Sequence, residues 1–272
     1  VRAIYSFIID GAPQFEIQTR IILTSLIATG VSPGDIVAHC TPRASARAAR
    51  IAQELGVMMR PLEPFLDGKY CNKLNQLPTL LDIAADLYVL CDTDLAFADR
   101  IDDLYSTTHI RARQVGRANP PLDVLANLLV ARGLSIEPRI VRTLLDEQPT
   151  WSVNCNGGLY LVPRGLLEYL SAAWRRETEF VFARPDVLGE WRRNADQLGF
   201  AIALLSAGLD VAELPVEVNF PLLPAARLRH VRVDTPRVLH YHVPPDSRGL
   251  LRTSGHPGVD RAVAKINAWL AR

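Results

Sequence analysis

Four short apolar runs alternate with helical patterns over the first 91 residues, and this alternation constrains the fold more than any other feature. "RAIYSFII" (2–9), "DIVAHC" (35–40), "VMMRPL" (57–62) and "LYVLC" (87–91) read as strands. Between them, "QFEIQTRIILTSLIAT" (14–29) and "ASARAARIAQEL" (44–55) carry apolar residues at helical spacing, closed by Gly30 and Gly56. "NKLNQLPTLLDIAA" (72–85) reads as a third helix despite Pro78. Strands that are apolar almost throughout are buried on both faces. The expected fold class is therefore α/β, a mostly parallel sheet with helices on both faces. Ligands bind such sheets beyond the carboxyl ends of the strands, where Asp10, Gly11, Asp92 and Asp94 fall.

The second half is less regular. Strands are expected at 109–115, 158–163 and 238–242, and helices at 122–133, about 165–176, 195–207 and along the closing "VDRAVAKINAWLA". Gly116–Pro121 and Pro244–Gly258 read as the flexible segments. With 272 residues, 49% of them hydrophobic, the chain can bury a large core as one domain or two small ones. A net charge of +1 gives no support for nucleic acid as a partner or for electrostatic attachment to membranes. No apolar run reaches bilayer-spanning length, and the first thirty residues lack a secretory layout. The chain starts at Val1, so a processed or truncated start stays open. Cys40, Cys71, Cys91 and Cys155 form no C-x-x-C pair and read as buried free thiols, which fits a reducing, cytoplasmic location.

"LYVLCDTDLAF" drives two carboxylates together at the end of a buried strand. Like charges this close repel, and burial adds a further penalty, unless a cation or a set of donors holds them ionised. A D-x-D arises by chance about once in a chain like this, so position carries the weight. Two hard oxygen ligands at a strand end suit Mg²⁺ or Mn²⁺, either of which keeps open positions for substrate phosphates. The plain alternative is a solvated loop bearing two surface acids. "VLHYH" puts His240 and His242 on one face of an extended segment, and imidazole favours Mn²⁺ over Mg²⁺. The following "PPDSRGLLRTSGHPG" carries Arg248, Arg252 and His256, a composition suited either to a lid over phosphates or to an ordinary surface loop.

In motif order the chain resembles the GT-A-fold nucleotide-sugar glycosyltransferases, most closely the glycogenin-like type. "FIIDGAPQFEIQTRIILTSL" is similar to the first strand, base loop and helix of that family. "YCNKLNQL" ahead of "YVLCDTDLAF" resembles its asparagine/lysine helix and metal-binding D-x-D. "NCNGGLYLVPR" looks like the strand lining the sugar pocket, "NADQLGFAIALL" like the acceptor-side helix, and "VLHYH" like the C-terminal metal-ligand segment.

The resemblance implies one GT-A domain over 1–272. About 1–116 would be the nucleotide-sugar-binding half, and about 117–272 the acceptor-binding half with a C-terminal lid. It implies a metal site of Asp92, Asp94 and His240, with Asp92 also reaching the nucleotide's ribose. Lys73 would approach the donor phosphate or sugar hydroxyls, and Asp10, Gly11 and Ala12 would frame base and ribose. Asn156 and Gly157 would sit against the transferred sugar, with Asp196 and Gln197 beside sugar and acceptor. Asp196 is the candidate base in an inverting reaction, or would orient sugar hydroxyls in a retaining one. The family's C-terminal "HGxxKPW" is absent, so Arg248 or Arg252 would have to take over its phosphate-gripping lysine. Gly157 stands where the family often has serine or alanine. The implied partners are a nucleoside-diphosphate sugar and a sugar, glycan or small-molecule acceptor. A homo-oligomer stays open, as do the base, the sugar and the stereochemical outcome.

Three rival functions compete. A phosphatase-like hydrolase would place its D-x-D after the first strand, with a later catalytic lysine; here the pair follows the fourth strand, and Lys265 is the only lysine after Lys73. A nucleotidyltransferase would carry a glycine-rich basic loop after the first strand, whereas "DGAPQFE" has one glycine and no basic residue. A nucleotide-sugar-binding relative without turnover is the third. Trp151, Trp174, Trp191 and Trp269 read as core or as cover for the acceptor groove. "AAWRRETEF" (172–180) reads as a solvated helix face and Asp102–Asp103 as the start of a short helix.

Overall fold

The computed structural model describes residues 1–228 and 231–272. In chain order the first half forms β1 (Ala3–Ile9), α1 (Gln14–Ala28), β2 (Ile36–Cys40), α2 (Ala46–Glu54), β3 (Met58–Pro61), α3 (Gln76–Leu80), β4 (Leu87–Cys91), β5 (Leu95–Phe97) and β6 (Arg111–Gln114). There follow α4 (Leu122–Arg132), the hairpin β7 (Ile140–Arg142) and β8 (Pro149–Trp151), β9 (Cys155–Pro163), α5 (Arg164–Phe182), α6 (Pro185–Leu188) and α7 (Ala195–Ser206). The chain ends with β10 (Ala212–Glu213), β11 (Phe220–Pro221), β12 (Val238–His240) and α8 (Pro257–Leu270).

The main sheet has the order β10-β6-β9-β4-β1-β2-β3. Its pairs are parallel except at β9, which runs antiparallel to both β4 and β6. Strand alternation sorts side chains to two cores. Tyr88 and Leu90 of β4 join Tyr160 and Val162 of β9 on one face, beneath α5 and α7. Leu87, Val89 and Cys91 join Leu159, Leu161, Phe7 and Ile9 on the other, beneath α1 and α2. Trp174, Tyr160 and Phe200 pack edge-on or tilted with ring centroids 4.5–5.2 Å apart. Burial of such a side chain is worth ~1.5–3 kcal/mol over exposure. A small sheet, β11-β12-β5, backs a third core that includes Leu239, Tyr241, Val263 and Ile266.

Two expected elements change. The segment 72–85 is not one helix: a 3-10 turn, Tyr70–Asn75, precedes a short α3. Pro78 is the reason, because its ring would clash with the carbonyl four residues back, so it is accommodated only in a helix's first turn, where its missing N–H is not needed. The "NCNG" stretch, expected as a turn, belongs largely to β9, which begins at Cys155. α5 extends to Phe182, and its 172–180 stretch contributes buried Trp174, Glu177 and Thr178 as well as exposed positions. Trp151 and Trp174 are core, and Asp102–Leu104 is a short 3-10 helix. The four cysteines are free. Among the described residues no helix is long and apolar enough to cross a membrane.

Candidate active site

The carboxyl ends of β1 and β4 open into a cavity of about 1110 Å³. Asp10, Gly11 and Ala12 reach it from the end of β1, and Asp92 and Asp94 from the β4–β5 turn. Lys73 comes from the 3-10 turn, Asn156 and Gly157 from the start of β9, Asp196 and Gln197 from the first turn of α7, and His240 from the end of β12. Arg248 and Arg252 do not line it. Arg248 pairs with Asp246 at 3.2 Å, and Arg252 Nε donates to the Pro244 carbonyl at 3.2 Å.

The register of the small sheet builds the first cluster. β12 runs antiparallel to β5 with His240 opposite Leu95, and Tyr241 N–H donates to the Asp94 carbonyl at 3.0 Å. His240 Nε2 thereby lies 3.2 Å from Asp94 Oδ1, and His242 Nδ1 lies 3.8 Å from Oδ2. One donor atom from each of the three falls within 4.8 Å of the other two. Two imidazoles and a carboxylate so converged fit a divalent transition ion. Burial works against ionisation of Asp94, but the two histidines outweigh it and hold the carboxyl far below its usual range. His240 is the mirror case: burial opposes its charge, and Asp94 prevails and raises its pKa.

Asp92 faces elsewhere. Its Oδ1 lies 2.5 Å from Lys73 Nζ, which also donates to the Gly157 carbonyl. The Asp92 backbone N–H donates to the Gly158 carbonyl, and the Thr93 hydroxyl to the Ile8 carbonyl, so the D-x-D turn is pinned to β9 and β1. Lys73 is buried, which opposes its charge, yet Asp92 and Asp196 overcome this and raise its pKa. Burial pushes the Asp196 carboxyl up to about 7, an effect that Lys73 offsets only in part. No protein group among the described residues bonds its Oδ1. The Asp196 backbone is fixed from behind, where Trp174 Nε1 donates to its carbonyl at 2.6 Å.

Asp10 is already engaged. Oδ1 accepts from the Thr41 hydroxyl at 2.7 Å and from Gly11 N–H at 2.8 Å, and Oδ2 accepts from Arg43 at 2.9 Å. Arg43, Phe15, Tyr70 and Tyr241 line the cavity without having been singled out from sequence, and His242, noted there only for its face, joins the metal-ligand cluster. Arg43 is one of many arginines, and only the fold carries it to the end of β1. His242 did have a signal, its shared face with His240.

No protein-family model matches the sequence, and no curated protein matches it. Solved structures do resemble the fold. The galactosyltransferase LgtC, in complex with donor and acceptor sugar analogues, superposes with a TM-score of 0.54 at 15% identity, over 97% of this chain and 95% of that one. Mouse xyloside xylosyltransferase 1 gives 0.54 at 11% identity, over 93% and 100%. The glycosyltransferase GlyE of Streptococcus pneumoniae gives 0.53 at 13% identity, over 99% of this chain and 63% of that chain. The architecture is thus the GT-A fold, a mixed α/β sheet shared by glycosyltransferases.

Proposed function

We propose that the chain is a divalent-metal-dependent glycosyltransferase, moving a sugar from a nucleoside-diphosphate donor to an acceptor hydroxyl. The observation that carries this is the convergence, in one cavity, of the Asp94–His240–His242 cluster, the Lys73–Asp92 pair and the buried carboxyl of Asp196. The fold likeness to a galactosyltransferase holding donor and acceptor sugar analogues supports it.

Asp94, His240 and His242 would hold the ion, and the two imidazoles favour Mn²⁺ over Mg²⁺. An ion held there would supply positive charge where a departing diphosphate oxygen gains its own negative charge. Lys73 presents a second fixed cation on the same side, with Asp92 and the Gly157 carbonyl holding its ammonium in place. Asn156, Gly157 and Gln197 line the same cavity and would border the transferred sugar. Asp196, with a pKa near neutrality, can take a proton from an acceptor hydroxyl and release it again. Residues 1–116 would supply the donor contacts and 117–272 the acceptor side.

The test is calorimetric titration with Mn²⁺ and nucleoside diphosphates, followed by a donor panel in which nucleoside-diphosphate release is measured. Asp94→Ala is expected to abolish Mn²⁺-dependent nucleotide binding while leaving the fold intact. His240→Ala should weaken Mn²⁺ more than His242→Ala, because His240 is the buried, hydrogen-bonded ligand. Unchanged nucleotide binding in Asp94→Ala would remove the metal from the function.

A further inference from the structure

Behind the metal cluster runs a hydrogen-bond chain that starts at an unambiguous donor, a backbone amide. Gly158 N–H donates to Asn156 Oδ1 at 2.9 Å, so the side-chain oxygen, not the nitrogen, occupies that position. The same oxygen accepts from Asn219 Nδ2 at 3.1 Å. This fixes the orientation of the Asn219 amide and leaves its Oδ1 facing His240 Nδ1 at 2.9 Å. An amide oxygen can only accept, so His240 Nδ1 must carry a hydrogen. A neutral imidazole has only one. In the neutral ring Nε2, the nitrogen turned towards Asp94, is therefore the one with the lone pair; a second proton there, which Asp94 favours, must leave before an ion can bind.

We propose that Asn219 is a positioning residue: through Asn156, Asn219 and His240 the fold fixes one imidazole tautomer and presents Nε2 to the divalent ion. The role rests on the metal-dependent function proposed above. Ligating histidines ordinarily have their other ring N–H bonded to a carboxylate, carbonyl or water, which sets tautomer and ring orientation. Here a side-chain carbonyl does so, itself oriented by a second asparagine.

Two features of the backbone serve the same arrangement. Asn219 sits at φ 58°, a left-handed conformation that costs any non-glycine residue energy and that asparagine tolerates better than most. It immediately precedes β11, whose Phe220 pairs with Leu239 of β12, so the strand carrying His240 and the residue that orients it are held by one ladder. At Gly158 a Cβ would lie 2.6 Å from His240 Cε1 and 2.8 Å from Asn219 Oδ1. Only glycine lets ring and amide close down on β9.

The experiment reads the tautomer directly. Long-range ¹H–¹⁵N spectra of the metal-free chain are recorded above the pH at which His240 loses its second proton, with its signals assigned against His240→Ala. Wild type is expected to show the hydrogen on Nδ1. Asn219→Gly removes the amide while keeping a residue at ease with positive φ. It should lose the single tautomer and bind Mn²⁺ about 10–100-fold more weakly by calorimetry. A wild-type proton on Nε2 would overturn the proposal, as would an Asn219→Gly variant with unchanged tautomer and Mn²⁺ affinity. Failure of the wild-type chain to bind Mn²⁺ at all would instead overturn the metal function beneath it, with the tautomer still decided by the spectrum. Should Asn219→Gly not fold, Asn156→Ala frees the Asn219 amide to turn and makes the same test.

Discussion

Asp196 is placed where ionisation is costly, and that cost has a measurable sign. Its carboxyl is ordinarily ionised above about 3.8 and in the fold only above about 7, burial being the main cause. The folded chain therefore keeps a proton that the unfolded chain gives up across this window. Stability from this group is intact below the lower value, falls as pH rises, and is fully lost above the upper one. Asn at this position cannot ionise. Asp196→Asn should be no more stable than wild type at acid pH and more stable above neutrality, by up to ~4 kcal/mol for a rise from 3.8 to about 7. Urea unfolding at the two extremes checks it, and an equal effect at both would mean that Asp196 titrates normally. Transfer by the same variant should fall by at least ~100-fold while nucleotide affinity holds. Equal loss of both would move Asp196 out of the acceptor role.

At the scale of elements, α7 carries Asp196 to the cavity, and its packing on α5 sets where the carboxyl sits. Gly199 is the contact point: an added Cβ would lie 2.1 Å from Thr178 Oγ1 and 2.7 Å from the Thr178 Cα, which is backbone and cannot swing aside. Gly199→Ala should cost ~1–3 kcal/mol by overpacking, despite a helix-propensity gain of ~1 kcal/mol, and should displace Asp196 from Lys73. Gly165→Ala, on α5 with nothing within 4 Å of the new methyl, is the matched control and should change stability by less than ~1 kcal/mol, upwards. Thermal unfolding of the two variants separates them, and equal behaviour would mean that the helices part freely.

The same elements show what the sequence could disclose. β1, β2 and β4 were legible because both their faces are buried, and α1, α2, α7 and α8 because their apolar spacing is helical and glycine or polar residues bound them. The direction of β9 was not, since a buried strand reads alike whether parallel or antiparallel. β5 and β11 are three residues long or less, too short for periodicity; the strand at 238–242 was legible, but not its pairing with β5, which delivers His240 to Asp94. Asn219 lies outside the motifs, and only the ladder beside it gives it a partner. The acids at 92 and 94 were visible as a pair, but their division of labour, one towards Lys73 and one towards the histidines, is a matter of turn geometry that the spacing does not encode.

Across the whole molecule, the residues facing the cavity come from positions 8 to 245, borne by both halves of the main sheet and by the small sheet. No local segment can assemble them, so a ligand that needs them all binds the folded chain and not the unfolded one. Such a ligand raises the unfolding free energy by RT ln(1 + [L]/Kd), about 2.7 kcal/mol at a hundredfold excess over Kd, or roughly 5–11 °C in Tm at this chain size. Thermal unfolding with UDP, GDP, dTDP, CDP and ADP, each with Mn²⁺ and then with chelator, should show one nucleotide stabilising the chain and the gain vanishing with the metal. Stabilisation that survives the chelator would mean that Lys73 and Arg43 hold the diphosphate without a bridging ion. That result would leave Asp94 and the histidines a structural cluster held by their own opposite charges. No response to any nucleotide, with metal or without, would leave the GT-A fold with a different ligand, and the ~1110 Å³ cavity would have to be explained by a substrate lacking a diphosphate.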